Sequence, residues 1–410
     1  MNHSLVTFLG RERMERIDPE TGYQRARYRF PDEDTPRETP FFGVALAGHL
    51  KPDAAVILGT SGSQWSVLVE HLAHGDEAED VRLELLDAET QATITQPLLD
   101  QVTPLMSRAI NLPVTPRLIP FGENADEQYE ILGAIADTVP NGDVSFDLTH
   151  GFRHLGMVGF LSAFMLERVR NLHVRGLWYG ALDMTDQTSG ITPVLRLDGL
   201  TRVRRWVDAL DRFDATGDYG VFARLLIEDG VPGDKAGCLS RAAFFERTQN
   251  LSDAARQLRT FLPTLDAPLS GAAGLFQTRL AERLRWVKAG GLADHQRKLA
   301  FEHLKRRDYL RAAAFGWEAL RTLECERRGL PSDDYANGRR LAADRLADEI
   351  HAGEHPEWKK SAFLLLRDVR NALAHGSPPG NRHSRQVLQD PDRLRSELEK
   401  SFQRLLEKER

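Results

Sequence analysis

Asp143-Val144-Ser145-Phe146-Asp147-Leu148-Thr149-His150-Gly151-Phe152-Arg153-His154 reads as a strand passing through one turn into a helix. Val144, Phe146 and Leu148 give the apolar alternation of a strand, and Leu155, Val158, Leu161 and Met165 recur at the spacing of a helix buried on one face. The turn between them is the carboxyl end of a strand. Open α/β sheets bind ligands at that edge, where helix N-termini present unpaired N–H groups and the positive end of the dipole. Gly151 lets backbone approach a ligand closely, Thr149 can cap the helix, and Arg153 and His154 stand in its first turn. Cations there oppose the dipole, so the cluster points to a bound anion. Taken one at a time, Asp147 and Thr149 also suit plain turn formers, and His150 a satisfied structural histidine.

A second turn of the same kind lies upstream. Ala55-Val56-Ile57-Leu58 reads as a buried strand, Gly59-Thr60-Ser61-Gly62-Ser63 as the turn and Trp65 to Leu72 as the following helix. Its small residues leave N–H groups and hydroxyls free for phosphate oxygens. The three-glycine dinucleotide spacing and the Walker lysine are both missing, which argues against a nucleotide-cofactor enzyme. A first strand, Leu5 to Leu9, ends at Gly10 and offers a third edge loop.

Around these turns, strand and helix patterns alternate. A hairpin arm is expected at Tyr23 to Phe30 and a helix at Phe41 to Leu50. Strands follow at 55–59, 82–87, 116–121, 144–148 and 172–180, with helices at 64–72, 98–110, 126–138 and 153–169. Such alternation predicts a parallel, doubly wound sheet with helices on both faces. From about Thr201 the period becomes that of helices and stays so. Segments begin at Val203, Trp206, Val207 and Leu210 and again at Leu251, Ala255, Leu258 and Leu262. A long helix is expected from Leu292 through Leu304, Tyr309, Ala313, Trp317 and Leu320, then shorter ones near 341–350, 358–375 and 391–409. The expected units are residues 1–200, a helical connector at 201–290, and 291–410.

The 410 residues carry a net charge of -6 that hides an asymmetry. Residues 1–200 hold 16 Lys+Arg against 29 Asp+Glu, and the remainder 38 against 31. A basic C-terminal half concentrates polyanions such as RNA, whereas an anion bound by the acidic half needs a local pocket. A solvated helical surface accounts for the same excess of cations. Cys238 and Cys325, far apart, form neither a disulfide framework nor a metal-spaced cluster. Without a membrane-length apolar run or signal-peptide pattern, the chain reads as soluble and cytoplasmic.

Near the C-terminus, Arg370-Asn371-Ala372-Leu373-Ala374-His375 closes a helix whose buried stripe is Phe363, Leu366, Val369 and Leu373; Gly376, Pro378 and Pro379 stop it. Asn371 and His375 share a face, while Arg370 lies roughly 140° away from His375, so the cation must reach around or serve a cleft shared with another helix. The dipole at a helix C-terminus favours protonated imidazole. An arginine and a histidine of this kind suit metal-independent RNA cleavage by the substrate's own 2′-hydroxyl, with Arg370 stabilising the developing charge and His375 moving a proton. A capping histidine beside a surface arginine is the ordinary alternative.

The motif Asp147-x-Thr149-His150-Gly151 resembles the signature of the CRISPR-associated DxTHG-motif family, and the Leu58-Gly59-Thr60-Ser61 turn is similar to that family's other ligand loop. Arg370-Asn371-x3-His375 resembles the HEPN ribonuclease motif of type III CRISPR ancillary nucleases. The resemblance implies an α/β Rossmann-like CARF domain over residues 1–200 and an all-α C-terminal half ending in a HEPN domain. It implies a cyclic oligoadenylate activator bound by Gly10, Gly59, Thr60, Ser61, Ser63, Asp147, Thr149, His150, Gly151, Arg153 and His154. Catalytic Arg370, Asn371 and His375 would then cut single-stranded RNA in antiviral defence, with no metal and no cofactor, in a homodimer or higher homo-oligomer away from any membrane. A regulatory or binding protein with a non-catalytic helical half, or one that degrades its activator, is the alternative.

Overall fold

The computed structural model describes residues 2–11, 25–170, 172–288 and 290–407. They fall into two compact units, Met1–Asp198 and Gly199–Arg410.

The first unit is built on strands β1 (His3–Leu9), β2 (Ala26–Arg29), β3 (Arg37–Thr39), β4 (Ala54–Gly59), β5 (Val114–Leu118), β6 (Gly142–Asp147), β7 (Leu172–Gly180) and β8 (Ile191–Arg196). Their order in one sheet is β3-β2-β8-β7-β6-β1-β4-β5. The run from β7 to β5 is parallel throughout, as expected, while β8 returns antiparallel to β7. The β2 strand pairs with β8 and, as a hairpin, with β3; Tyr23 and Gln24 of the expected hairpin arm lie outside the described residues. The helices are α1 (Phe42–Leu50), α2 (Trp65–Leu72), α3 (Asp76–Thr90), α4 (Gln96–Ile110), α5 (Ala125–Thr138) and α6 (Arg153–Val169).

Residue alternation in β1 shows why two faces are covered. Val6 and Phe8 join Leu58, Val144 and Phe146 under α5 and α6, whereas Leu9 joins Ile57, Trp65 and Leu99 under α2 and α4. A period of 2 with both faces buried yields the near-continuous apolar runs of a parallel sheet.

The segment 82–87 is no strand but the middle of α3. Val81, Leu83 and Leu85 alternate, yet the residues that pack inward are Ala78 with Leu85, and, part-buried, Val81 with Ala88, a helical spacing. Asp76, Glu77 and Glu79 in the first turn favour the helix through its dipole. On α6 the buried stripe is Leu155, Gly159, Ser162, Ala163 and Leu166; Leu161, expected inside, is 55% exposed beside Met157 at 73%.

The second unit is helical among the described residues, with α7 (Asp198–Thr216), α8 (Ala223–Glu228), α9 (Gly233–Arg247), α10 (Leu251–Phe261), α11 (Ala273–Arg283), α12 (Leu292–Lys305), α13 (Tyr309–Arg328), α14 (Leu341–His351), α15 (Glu357–His375), α16 (Arg382–Val387) and α17 (Pro391–Leu406). One apolar core runs from Trp206 to Leu406, fed by both 201–290 and the segment after it. The long helix expected from Leu292 is two. Arg307 adopts a left-handed φ of 60°, and the Asp308 carboxylate accepts the Arg311 N–H to start α13 afresh. Both cysteines are free and buried. Among the described residues no helix is long and apolar enough to cross a membrane.

Candidate functional site

The strand order reverses at β1, from which the sheet grows through β4 to one side and through β6 to the other. Doubly wound sheets open a crevice at the carboxyl edge of such a point. The pairings Leu9↔Gly59 and Val6↔Phe146 bring the ends of β1, β4 and β6 to one edge. A cleft of about 60 Å³ opens there, lined by the expected Gly10, Thr60, Ser63 and Gly151 together with Arg11 and Phe152. The loops touch closely: a Cβ on Gly10 would come within 2.6 Å of the Gly151 nitrogen, and Gly151 has a φ of +91°. Both positions therefore require glycine.

The β4–α2 turn is stapled from within. The Ser63 hydroxyl donates to the Leu9 carbonyl at 2.7 Å and accepts the Thr60 N–H at 2.9 Å. The Thr60 Oγ1 accepts the Gly62 N–H, and the Gln64 N–H donates to the Gly10 carbonyl at 3.0 Å. The hydroxyls of Thr60 and Ser63, expected to face outward, are thus turned inward, because the tight turn leaves N–H groups that need acceptors. Ser61 is half-exposed and takes no part in these bonds. Gly59 lies against the Trp65 ring.

Asp147, Thr149 and His150 lie behind the cleft and hold its frame. Fully buried Asp147 accepts the Thr7 hydroxyl at 2.6 Å and the Thr149 N–H at 2.8 Å. Burial pushes its carboxyl above the usual carboxylate range, against the pull of His150 and the two donors. Thr149 does not cap α6. Its Oγ1 accepts the Gly180 N–H at 2.8 Å, tying the turn to the end of β7, and Phe152, at the cap position, offers no side-chain acceptor. His150 Nε2 accepts the Phe42 N–H at 3.0 Å. That N–H is one of the orphan donors of α1, whose cap residue Phe41 has no side-chain acceptor to offer them. As the acceptor of the Phe42 N–H, Nε2 carries no proton, and burial lowers the His150 pKa against the opposing effect of Asp147. The ring also borders a small apolar cavity of about 30 Å³ between the sheet and α1 and α2.

Arg153 and His154 are both exposed in the first turn of α6. His154 Nε2 donates to the Phe121 carbonyl at 2.7 Å, and its ring stacks on Phe152. Sequence reasoning missed Arg11, Phe121 and Phe152; the available signal was an aromatic residue lodged in a turn between glycine and arginine.

In the second unit, α15 ends at His375 as expected, with Gly376 at a φ of 67° and its N–H bonded to the Ala372 carbonyl. Arg370 is part-exposed and, among the described residues, bonds only the neighbouring Asn371 Oδ1, at 3.0 Å. His375 and Asn371 are exposed on one face. One helix therefore presents both groups to solvent without bringing Arg370 onto His375. Among the described residues there is no group of three or more His, Cys, Asp or Glu placed to hold a metal ion.

Residues 4–182 match the family described as the CARF domain of the CRISPR system endoribonuclease Csx1. The first unit is thus a CARF domain, followed by an almost wholly α-helical half. Over 264 residues the chain is 22% identical to the CRISPR-associated protein MJ1674 of Methanocaldococcus jannaschii; the match covers 60% of this chain but 41% of that protein, so most of the relative lies outside it. Among solved structures it is similar to Enterococcus italicus Csm6 bound to cyclic hexa-2'-fluoro-hexa-dAMP, at a TM-score of 0.34 and 10% identity, over 100% of this chain and 95% of that one.

Proposed function

We propose that this protein is an endoribonuclease of type III CRISPR defence, switched on when a cyclic oligoadenylate occupies the cleft at the carboxyl edge of its CARF domain. The observation that carries the reading is that cleft, built by three strand ends around Gly10 and Gly151 in a domain of this family. Its backbone N–H groups and Arg11, with Ser61 and Arg153 on the flanking turns, supply donors to phosphate oxygens. Thr60, Ser63, Asp147, Thr149 and His150 hold those loops in place, and Gly59 lets Trp65 close beneath them.

Residues 1–200 then form the sensor, 201–290 the connector and 291–410 a HEPN-like nuclease. Cleavage needs only RNA atoms and side chains. The 2′-hydroxyl gives up its proton and attacks the adjacent phosphorus, the 5′-oxygen leaves with a proton, and a 2′,3′-cyclic phosphate remains. His375 moves the proton, Arg370 meets the negative charge that builds on the phosphate, and Asn371 holds the arginine head group. Because Arg370 and His375 diverge on one helix, the competent cleft takes residues from two copies of the chain, which makes the active species a homodimer or higher homo-oligomer. The exposed Met157 and Leu161 stripe on α6 offers an apolar face for that association.

The test is labelled single-stranded RNA incubated with purified full-length protein, with and without cyclic tetra-adenylate or hexa-adenylate, in excess chelator. Activator-dependent cuts ending in cyclic phosphate support the reading. Binding of an activator without any cleavage leaves a regulatory protein in its place.

A further inference from the structure

We propose that Phe152, backed by His154 and Phe121, is the platform on which a base of the bound ligand stacks. The inference rests on the reading of the cleft as a nucleotide site and adds the residues that meet the base.

Phe152 is 49% exposed and Phe121 36%, unusual for phenylalanines in the turns of a well-covered sheet. They are not scattered. Their ring centroids lie 5.9 Å apart at 53°, and the His154 ring lies 5.7 Å from Phe152 at 20°. The hydrogen bond from His154 Nε2 to the Phe121 carbonyl fixes this group. The Phe121 ring comes within 3.5 Å of where a Gly62 Cβ would stand, which places it against the β4–α2 turn, and Phe152 itself lines the cleft. The aromatic group therefore runs from one ligand loop to the other along the rim of a cleft whose floor is backbone and small residues.

That combination suits a nucleotide. Phosphate oxygens take the N–H groups and Arg11, and the adjoining base needs a flat apolar surface within one sugar's reach. Stacking on an aromatic ring supplies this and is tolerant of base identity, so the platform provides affinity while base identity is read elsewhere. A purine, with its larger ring system, gains most.

The experiment measures binding of cyclic tetra-adenylate and cyclic hexa-adenylate to the full-length protein by calorimetry, in wild type, Phe152→Leu and Phe152→Tyr. Loss of one stacked base lowers affinity roughly 5- to 150-fold. Phe152→Leu is expected to show that loss for whichever ring the wild type binds, with an unchanged melting temperature because the ring is half-exposed. Phe152→Tyr is expected to keep wild-type affinity. Unchanged affinity in Phe152→Leu, or equal loss in Phe152→Tyr, overturns the platform while leaving the nucleotide reading intact. Wild-type protein that binds neither ring overturns both.

Discussion

Gly10→Ala probes the cleft at its narrowest point. The added Cβ would meet the Gly151 nitrogen at 2.6 Å and its Cα at 3.2 Å, where ordinary contact begins near 3.4 Å. The two loops must part by close to ~1 Å, and since both opposing atoms are backbone no side-chain rotation relieves the clash. Overpacking of this kind costs about 1–3 kcal/mol, which in a unit of this size lowers the melting temperature by about 2–12 °C. A hydrogen bond near 2.9 Å is lost when its donor moves by about 1 Å. Losing one bond to a charged phosphate, worth about 1.5–3 kcal/mol, weakens binding about 10- to 150-fold. Thermal unfolding and calorimetry with a cyclic oligoadenylate measure both. Gly133→Ala is the control: that exposed glycine lies within α5, with no other side chain or distant backbone within 4 Å, and alanine there adds up to about 1 kcal/mol of stability. Wild-type melting and affinity in Gly10→Ala would refute the close approach of the loops.

Asp147→Ala strands the Thr149 N–H and the Thr7 hydroxyl and is expected to cost about 2–6 kcal/mol at about 1–3 per buried group. Asp147→Asn keeps an acceptor for the N–H and offers a donor to Thr7. Because burial raises the Asp147 pKa, the folded state favours its protonated form, and that contribution is lost as pH rises through the raised value. Asp147→Asn should therefore melt at or above wild type at neutral pH, with the gap closing in acid; a clear deficit at neutral pH contradicts this. Arg370→Ala and His375→Ala should abolish RNA cleavage, about 10²-fold or more in rate, with unchanged melting, since both side chains lie outside the core. Glu33 accepts from Arg37 Nε and Nη2, each at 2.9 Å, and from His49 at 2.7 Å, which lower its pKa to about 2. Its advantage over Glu33→Gln should be complete above the ordinary carboxylate value and fade as pH falls towards about 2; a gap that widens in acid contradicts the assignment.

The parallel strands were legible because β1 and β4 read as short apolar runs closed by glycine, and β6 as the alternation of Val144, Phe146 and Leu148. The α3 helix was not, since Val81, Leu83 and Leu85 alternate like a strand until the partners at 78 and 88 are known to pack. Nor was the break before α13, because Arg307 adopts a left-handed backbone that its residue type does not announce. At the site, the residues named from the motifs include Gly10, Thr60, Ser63 and Gly151, which line one cleft. The motifs could not tell which polar groups the loops use on themselves. Asp147, Thr149 and His150 bind Thr7, Gly180 and Phe42, residues over 30 positions away or more, and no local pattern contains those partners. Phe152 stands in the sequence as an aromatic residue between Gly151 and Arg153, and its exposure on the rim of the cleft is what singles it out.

The most direct test of an activator-gated nuclease is the initial rate of RNA cleavage against cyclic oligoadenylate concentration, measured beside binding in the same full-length preparation. Linkage requires the active form to bind the activator more tightly than the inactive one, with couplings of typically about 1–3 kcal/mol. The predicted result is a rate that rises with occupancy of the CARF domain in wild type, and a His375→Ala protein that binds the activator with wild-type affinity and does not cut. A rate indifferent to bound activator, or full cleavage by the His375→Ala protein, would contradict it.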